Sequence, residues 1–79
     1  MLSLLLHRPT ARAFYRVEIA DNLFGEYSVL REWGRQGRRA GMRVNWFSNL
    51  REAAQAADRW RGRAIRRGYR LTERRAAQG

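Results

Sequence analysis

The sequence contains no cysteine, no lysine, a single histidine and a single proline. Without cysteine there is no disulfide framework and no thiolate chemistry, and one histidine cannot assemble a zinc site. Long apolar runs are missing as well. The apolar stretch at the amino end, Leu2 to Leu6, is followed at once by His7, Arg8 and Pro9. That makes it too short for the hydrophobic region of a signal peptide, even though Ala11-Arg12-Ala13 resembles a cleavage site. It reads as a first strand and a turn. No segment approaches the length of a membrane-spanning helix, so a soluble, cytoplasmic chain is expected, free to associate with the nucleoid. Catalytic parts are lacking too. No glycine-rich phosphate loop opens a helix, no serine, histidine and acid stand at credible spacing, and no carboxylates are paired by a local signature. No catalytic residue, metal ligand or cofactor is assigned, and an enzyme is not expected.

What the sequence has in excess is positive charge. Its 79 residues carry seventeen basic and seven acidic side chains, a formal charge of +10, well beyond what solubility asks of a small domain. Every basic residue is an arginine. A compositional preference for arginine explains why lysine is missing, but not why acids are outnumbered. Polyanions are the natural partners of such a chain, nucleic acid first and anionic membrane second. A chain of this length is one domain with a modest core, so each of three Trp, three Tyr and three Phe matters to stability.

The periodicity predicts an α+β fold. Phe14 to Ile19 alternates with period two, setting Tyr15, Val17 and Ile19 on one face and Arg16 and Glu18 on the other. Asp21 to Gly25 has turn chemistry with an apolar pair, Leu23-Phe24, expected to fold back onto the domain. Further strands are expected over about Glu26 to Arg35 and Met42 to Phe47, with Gly37 to Gly41 reversing the chain between them. The result is a small twisted antiparallel sheet of about four strands. A helix follows, with Asn49 and Glu52 at the spacing of a capping box and Gly68 as the residue that ends it. Leu50, Ala53, Ala54, Ala57, Trp60, Ala64 and Ile65 form its expected apolar face. Arg51, Arg59, Arg63, Arg66 and Arg67 lie on the other, and Arg61 sits near the apolar side. Trp46, alternating with Val44 and Met42, and Trp60 are expected in the core, and Tyr69 is expected to pack the helix end back on the sheet.

The candidate site lies between Arg31 and Phe47. In a strand of period two, Arg31, Trp33 and Arg35 project to the same side. An arginine on each side of a tryptophan suits a nucleotide, because the ring stacks on base or sugar while the guanidinium groups take the flanking phosphates. Arg43 on the next strand extends the patch, as do Arg38 and Arg39 at the hairpin tip. The competing reading is that Trp33 is core and the arginines lie along it with their charges in water.

At Trp33-Gly34-Arg35 the sequence becomes specific. FYRVEIA, the Leu23-Phe24-Gly25 of the following loop, LREWGRQG, the helix entry from Phe47 to Ala53 and the closing Arg66-Arg67-Gly68-Tyr69 stand in the order of the WGR domain family. The chain resembles that family over about residues 4 to 70; 71–79 are expected to be a flexible basic tail of the same single domain, 1–79. The run between Gly37 and Gly41 is one residue longer than the family's G-x-x-G. The resemblance implies a twisted antiparallel sheet with one helix packed across it. In poly(ADP-ribose) polymerases, domains of this family help bind DNA breaks. Their motif tryptophan packs on the sugar and backbone at a strand terminus, and their motif arginine couples DNA binding to neighbouring domains. With no polymerase domain here, that coupling role does not transfer intact to Arg35. The resemblance favours an outward Trp33.

The expected function is sequence-tolerant nucleic-acid binding, DNA before RNA and strand ends or breaks before closed duplex. Base-edge reading is not expected, because no helix combines Arg, Asn and Gln in a groove-reading pattern. The alternative is a protein-interaction module using the same surface, since Trp and Arg are also enriched at interface hot spots. Attachment to anionic lipid ranks last, because the helix's apolar side is mostly alanine and committed to the sheet. No small-molecule substrate is expected.

Overall fold

The structure, a computed structural model, describes residues 2–76. Five strands form a single antiparallel sheet: β1 (Leu2–Arg8), β2 (Ala13–Asp21), β3 (Tyr27–Arg35), β4 (Gly41–Phe47) and β5 (Arg70–Ala76). One helix, α1 (Leu50–Arg66), connects β4 to β5. The spatial order is β4-β3-β2-β1-β5. The first four strands are therefore a meander of neighbours in sequence, and α1 carries the chain back across the sheet so that β5 can pair with β1.

Strand alternation puts Leu4 and Leu6 of β1, Val17 and Ile19 of β2 and Val29 of β3 on the same face, where they are buried against Ala53, Ala57 and Ala64 of α1. Among the described residues no polar or charged residue is buried there. Alanines at the contact let the helix axis lie close to the sheet, which suits a core made from few large side chains. The helix starts where Asn49 Oδ1 accepts the backbone N–H of Glu52 at 2.9 Å, the side-chain cap expected of this spacing. It ends in a Schellman motif: Gly68, with φ +95°, donates its N–H to Ile65 O, and Tyr69 donates to Ala64 O.

Four sequence-based expectations need correction. First, the supposed tail contains a strand: Arg70–Ala76 pairs with β1 from His7 to Leu2, while 77–79 lie outside the described residues. Leu71 and Ala76 are the only apolar residues of β5, so it lacks the alternation that marks a half-buried strand; backbone pairing with β1 holds it instead. Its register shifts between Leu5 and Leu6. There the Thr72 hydroxyl donates to Leu5 O at 3.1 Å and accepts from His7 Nδ1 at 2.7 Å, giving the single histidine a structural partner.

Second, Leu23 and Phe24 do not fold back; they are 99% and 87% exposed. Asn22 Oδ1 accepts the N–H groups of both Phe24 and Glu26, and Gly25 takes φ +74°. The loop is thus closed by its own polar bonds, and its apolar side chains point outward. Third, Trp46 is not core. Phe47, Asn45 and Arg43 share the helix-covered face, so Trp46, Val44 and Met42 fall on the open one. A one-residue offset reverses a strand's faces. Fourth, the buried stripe of α1 includes Ala56 and omits Leu50, Ala54 and Ile65, which are exposed. Ala54 and Ala56 are equal in size, so size does not separate them; the contact stripe is rotated around the helix axis, away from Leu50, Ala54 and Ile65 and toward Ala56. Arg61, close to that stripe, is turned to Asp58 at 2.7 Å.

Candidate nucleic-acid interface

The pairing of β3 with β2 is uninterrupted from Ala13↔Arg35 to Asp21↔Tyr27, so Gly34 does not bulge and Arg31, Trp33 and Arg35 share the face that α1 packs on. They lie toward the end of the sheet where the helix finishes. Beyond the last buried alanine, Ala64, the sheet and the helix end frame a groove of about 510 Å³. Its cations are Arg8 from β1, Arg31 and Arg35 from β3, and Arg63 and Arg67 from the helix end. Its rings are Tyr15, Trp33, Trp60 and Tyr69. No carboxylate among the described residues lines it.

Each ring is held by a specific neighbour. Trp33 stands across from Gly41 in the β3–β4 register, and a Cβ on Gly41 would lie 2.5 Å from Trp33 Cε2, so the indole rests on bare glycine backbone. On its other strand neighbour, Trp33 is stacked with Tyr15 at a centroid separation of 6.3 Å and an interplanar angle of 17°. Tyr15 meets Tyr69 edge-on at 6.0 Å. These separations and angles fall in the range of favourable aromatic pairs. The neighbouring Gly34 answers a need on the opposite face: a Cβ there would lie 2.8 Å from Phe14 Cε1. The Trp-Gly-Arg tripeptide therefore combines a ring for one face with a vacancy for a ring on the other.

Arg31 is partly buried, its guanidinium carbon 3.9 Å from the centroid of the Trp60 ring, and its Nη2 donates to Asn45 Oδ1 at 3.4 Å. Both contacts orient the side chain and neither neutralises it. Its Nε has no protein acceptor among the described residues. Arg8 approaches the backbone of Gly68, its Nε 3.4 Å from where a Cβ would be. The αL glycine that ends the helix thus also admits a cation from β1.

Among the six residues singled out from sequence, the groove unites Arg31, Trp33 and Arg35. Arg43 stands opposite Arg31 on the same face of β4, exposed and outside the groove lining. Arg38 and Arg39 are exposed at the β3–β4 turn, where Arg38 N–H bonds Arg35 O. Trp33 itself is neither fully outward nor fully buried: one side contacts the protein while the ring borders the groove. Sequence reasoning missed Arg8, Arg63, Arg67 and the ring of Tyr15 as contributors. The signal available for the helix arginines was their i, i+4 spacing next to Gly68, which puts both on the last turns of one helix face.

Fold and groove together define a small α+β module whose most distinctive surface is an arginine-rich, aromatic-lined cleft. The chain belongs to the WGR domain family, whose profile matches residues 3–77. WGR domains are binding modules of the nucleic-acid-binding type rather than catalytic ones. None of the curated proteins matches the chain. Among solved structures, a crystal structure of a Bacteroides fragilis protein is similar with a TM-score of 0.69 at 20% sequence identity, a likeness of fold. The match covers 92% of this chain and 20% of that one, so the chain spans about a fifth of the longer protein. Among the described residues no helix is long and apolar enough to cross a membrane.

Proposed function

We propose that the chain binds nucleic acid, DNA in preference to RNA, by taking a sugar or base at a strand end into the groove between the end of α1 and the sheet. The observation that carries this reading is the composition of that groove: five arginines and four aromatic rings with no carboxylate among them. In this reading Trp33 and Tyr69 offer ring surface to the nucleoside, while Arg35, Arg63, Arg67 and Arg8 take phosphates and Arg31 adds a fixed charge from below. Arg43, Arg38 and Arg39 extend the positive surface along a strand leaving the groove. Contacts of this kind recognise backbone and ring faces rather than base edges, so binding is sequence-tolerant. No reaction is assigned to the chain, and work on nucleic acid in the cytoplasm is the location that fits this reading.

The test is a titration at fixed low salt of closed-circular, nicked and blunt-ended duplex, single strand and structured RNA. Ends and nicks should bind more tightly than the closed circle. Trp33→Ala should lose about 1–3 kcal/mol on the substrates with ends, the range for one stacked nucleotide, and narrow their advantage over the circle. Failure to bind any of these polyanions at low salt refutes the reading, and equal affinity for circle and ends refutes its strand-end component.

A further inference from the structure

The two edges of the sheet are built differently. β5 carries Arg70, Glu73, Arg74 and Arg75, and its pairing with β1 is interrupted by a register shift. Charges and irregularities of this kind discourage a further strand from adding to an edge. β4, Gly-Met-Arg-Val-Asn-Trp-Phe, has one charge, no proline and an unbroken register with β3 from Tyr27↔Phe47 to Trp33↔Gly41. Its outer backbone groups are an open template. On the sheet face that α1 leaves uncovered, this strand displays Met42, Val44 and Trp46 at 62%, 42% and 59% exposure. A row of large apolar side chains along a bare edge strand is an adhesive surface in a domain with so few core residues.

The segment is also nearly symmetric about Val44. Antiparallel pairing with an identical strand centred there sets Val44 against Val44, Met42 of each copy against Trp46 of the other, and Arg43 against Asn45. The apolar residues meet on one face, with thioether facing indole. On the other face a guanidinium donor meets an amide carbonyl rather than a like charge. Other two-fold registers are worse. Centring on Arg43 opposes the two guanidinium groups, and centring on Asn45 pushes Met42 past the end of the strand to face Ser48. We propose that β4 is the contact between two copies of this chain, paired antiparallel about Val44 to give one continuous ten-stranded sheet.

The two-fold axis of such a pair stands perpendicular to the sheet. Both helices then lie on the same side, and both arginine grooves open in the same direction, one toward each end of the assembly. The Arg43 side chains become diagonal neighbours between them, joining the two cationic surfaces. Each copy carries +10, so mutual repulsion opposes pairing at low ionic strength, and either salt or a shared polyanion favours it. The pairing does not depend on which polyanion the groove holds.

Sedimentation equilibrium of the full chain in high salt, from micromolar to millimolar concentration, tests the proposal. The expected result is a reversible monomer–dimer equilibrium. Val44→Lys should weaken it at least about tenfold, because it sets two ammonium groups face to face at the axis. Leu71→Lys on the opposite edge should leave it unchanged. Circular dichroism establishes that each variant is folded, and concentration-dependent protection of β4 amides in the unaltered chain provides a readout that needs no variant. A chain that stays monomeric throughout, a dimer that resists Val44→Lys, or a dimer whose protected amides lie in β5 overturns the proposal.

Discussion

Two glycines fix the position of the tryptophan at the groove. Gly41 supplies the bare backbone on which Trp33 lies, and Gly34 leaves room for the Phe14 ring on the other face. The two substitutions to alanine therefore have separable outcomes. Gly41→Ala introduces a Cβ 2.5 Å from the indole and must displace it. Nucleic-acid affinity should fall by about as much as in Trp33→Ala, within about 1–3 kcal/mol. Gly34→Ala overpacks Phe14 instead, and should lower unfolding stability by about 1–3 kcal/mol, with Phe14→Leu restoring part of it. Chemical denaturation and binding titrations on the same two variants separate these outcomes; a Gly41→Ala variant with unchanged affinity would remove Trp33 from the site. At this scale spacing shows which residues share a side of the strand with Trp33, but neither that α1 packs on that side nor what supports the ring. Only the β3–β4 register puts a glycine beneath it.

At the level of elements, α1 is set down on alanine. Ala53, Ala56, Ala57 and Ala64 are buried, while Ala54 on the adjacent arc is exposed. Ala56→Leu should destabilise the domain by about 1–3 kcal/mol through overpacking, and Ala54→Leu should change stability by less than about 0.5 kcal/mol. Equal effects on thermal unfolding would mean that the helix is rotated from the orientation set by its buried alanines. The cap, the Schellman ending and the meander were legible because each rests on local chemistry: an Asn three residues before a backbone donor, a glycine with positive φ, and alternation within a strand. The faces of β4 and the existence of β5 were not. A strand at an edge is held mainly by backbone hydrogen bonds to its neighbour, so its side chains need follow no apolar pattern, and in β4 the apolar row points away from the core.

Across the whole molecule the charges are segregated. Glu32 is paired with Arg16, and Glu73 with Arg75, on the open face of the sheet; Asp58 is paired with Arg61 on the helix. The groove keeps its arginines free of carboxylates, so attraction for a polyanion is concentrated there. If Arg63 and Arg67 each neutralise one duplex phosphate, Arg63→Ala and Arg67→Ala should each flatten the dependence of log affinity on log salt by about one unit. Arg75→Ala should leave that slope unchanged. Equal slopes for all three variants would indicate diffuse electrostatics without a defined groove. The net charge was plain from composition, but its segregation was not, because the groove draws Arg8, Arg35 and Arg67 from three distant parts of the chain.

The β1–β5 pairing also sets Leu2 directly across from Ala76. Cα atoms so paired in an antiparallel sheet stand only about 4.5–5.5 Å apart. The path of the chain thus enters and leaves the domain at one place, at the end of the sheet opposite the groove. A module with that geometry can be grafted into a surface loop of a host protein by a single short junction, without stretching the host's backbone and without obstructing the cleft. It can equally be strung in tandem, with every copy turning its groove away from the thread that joins them.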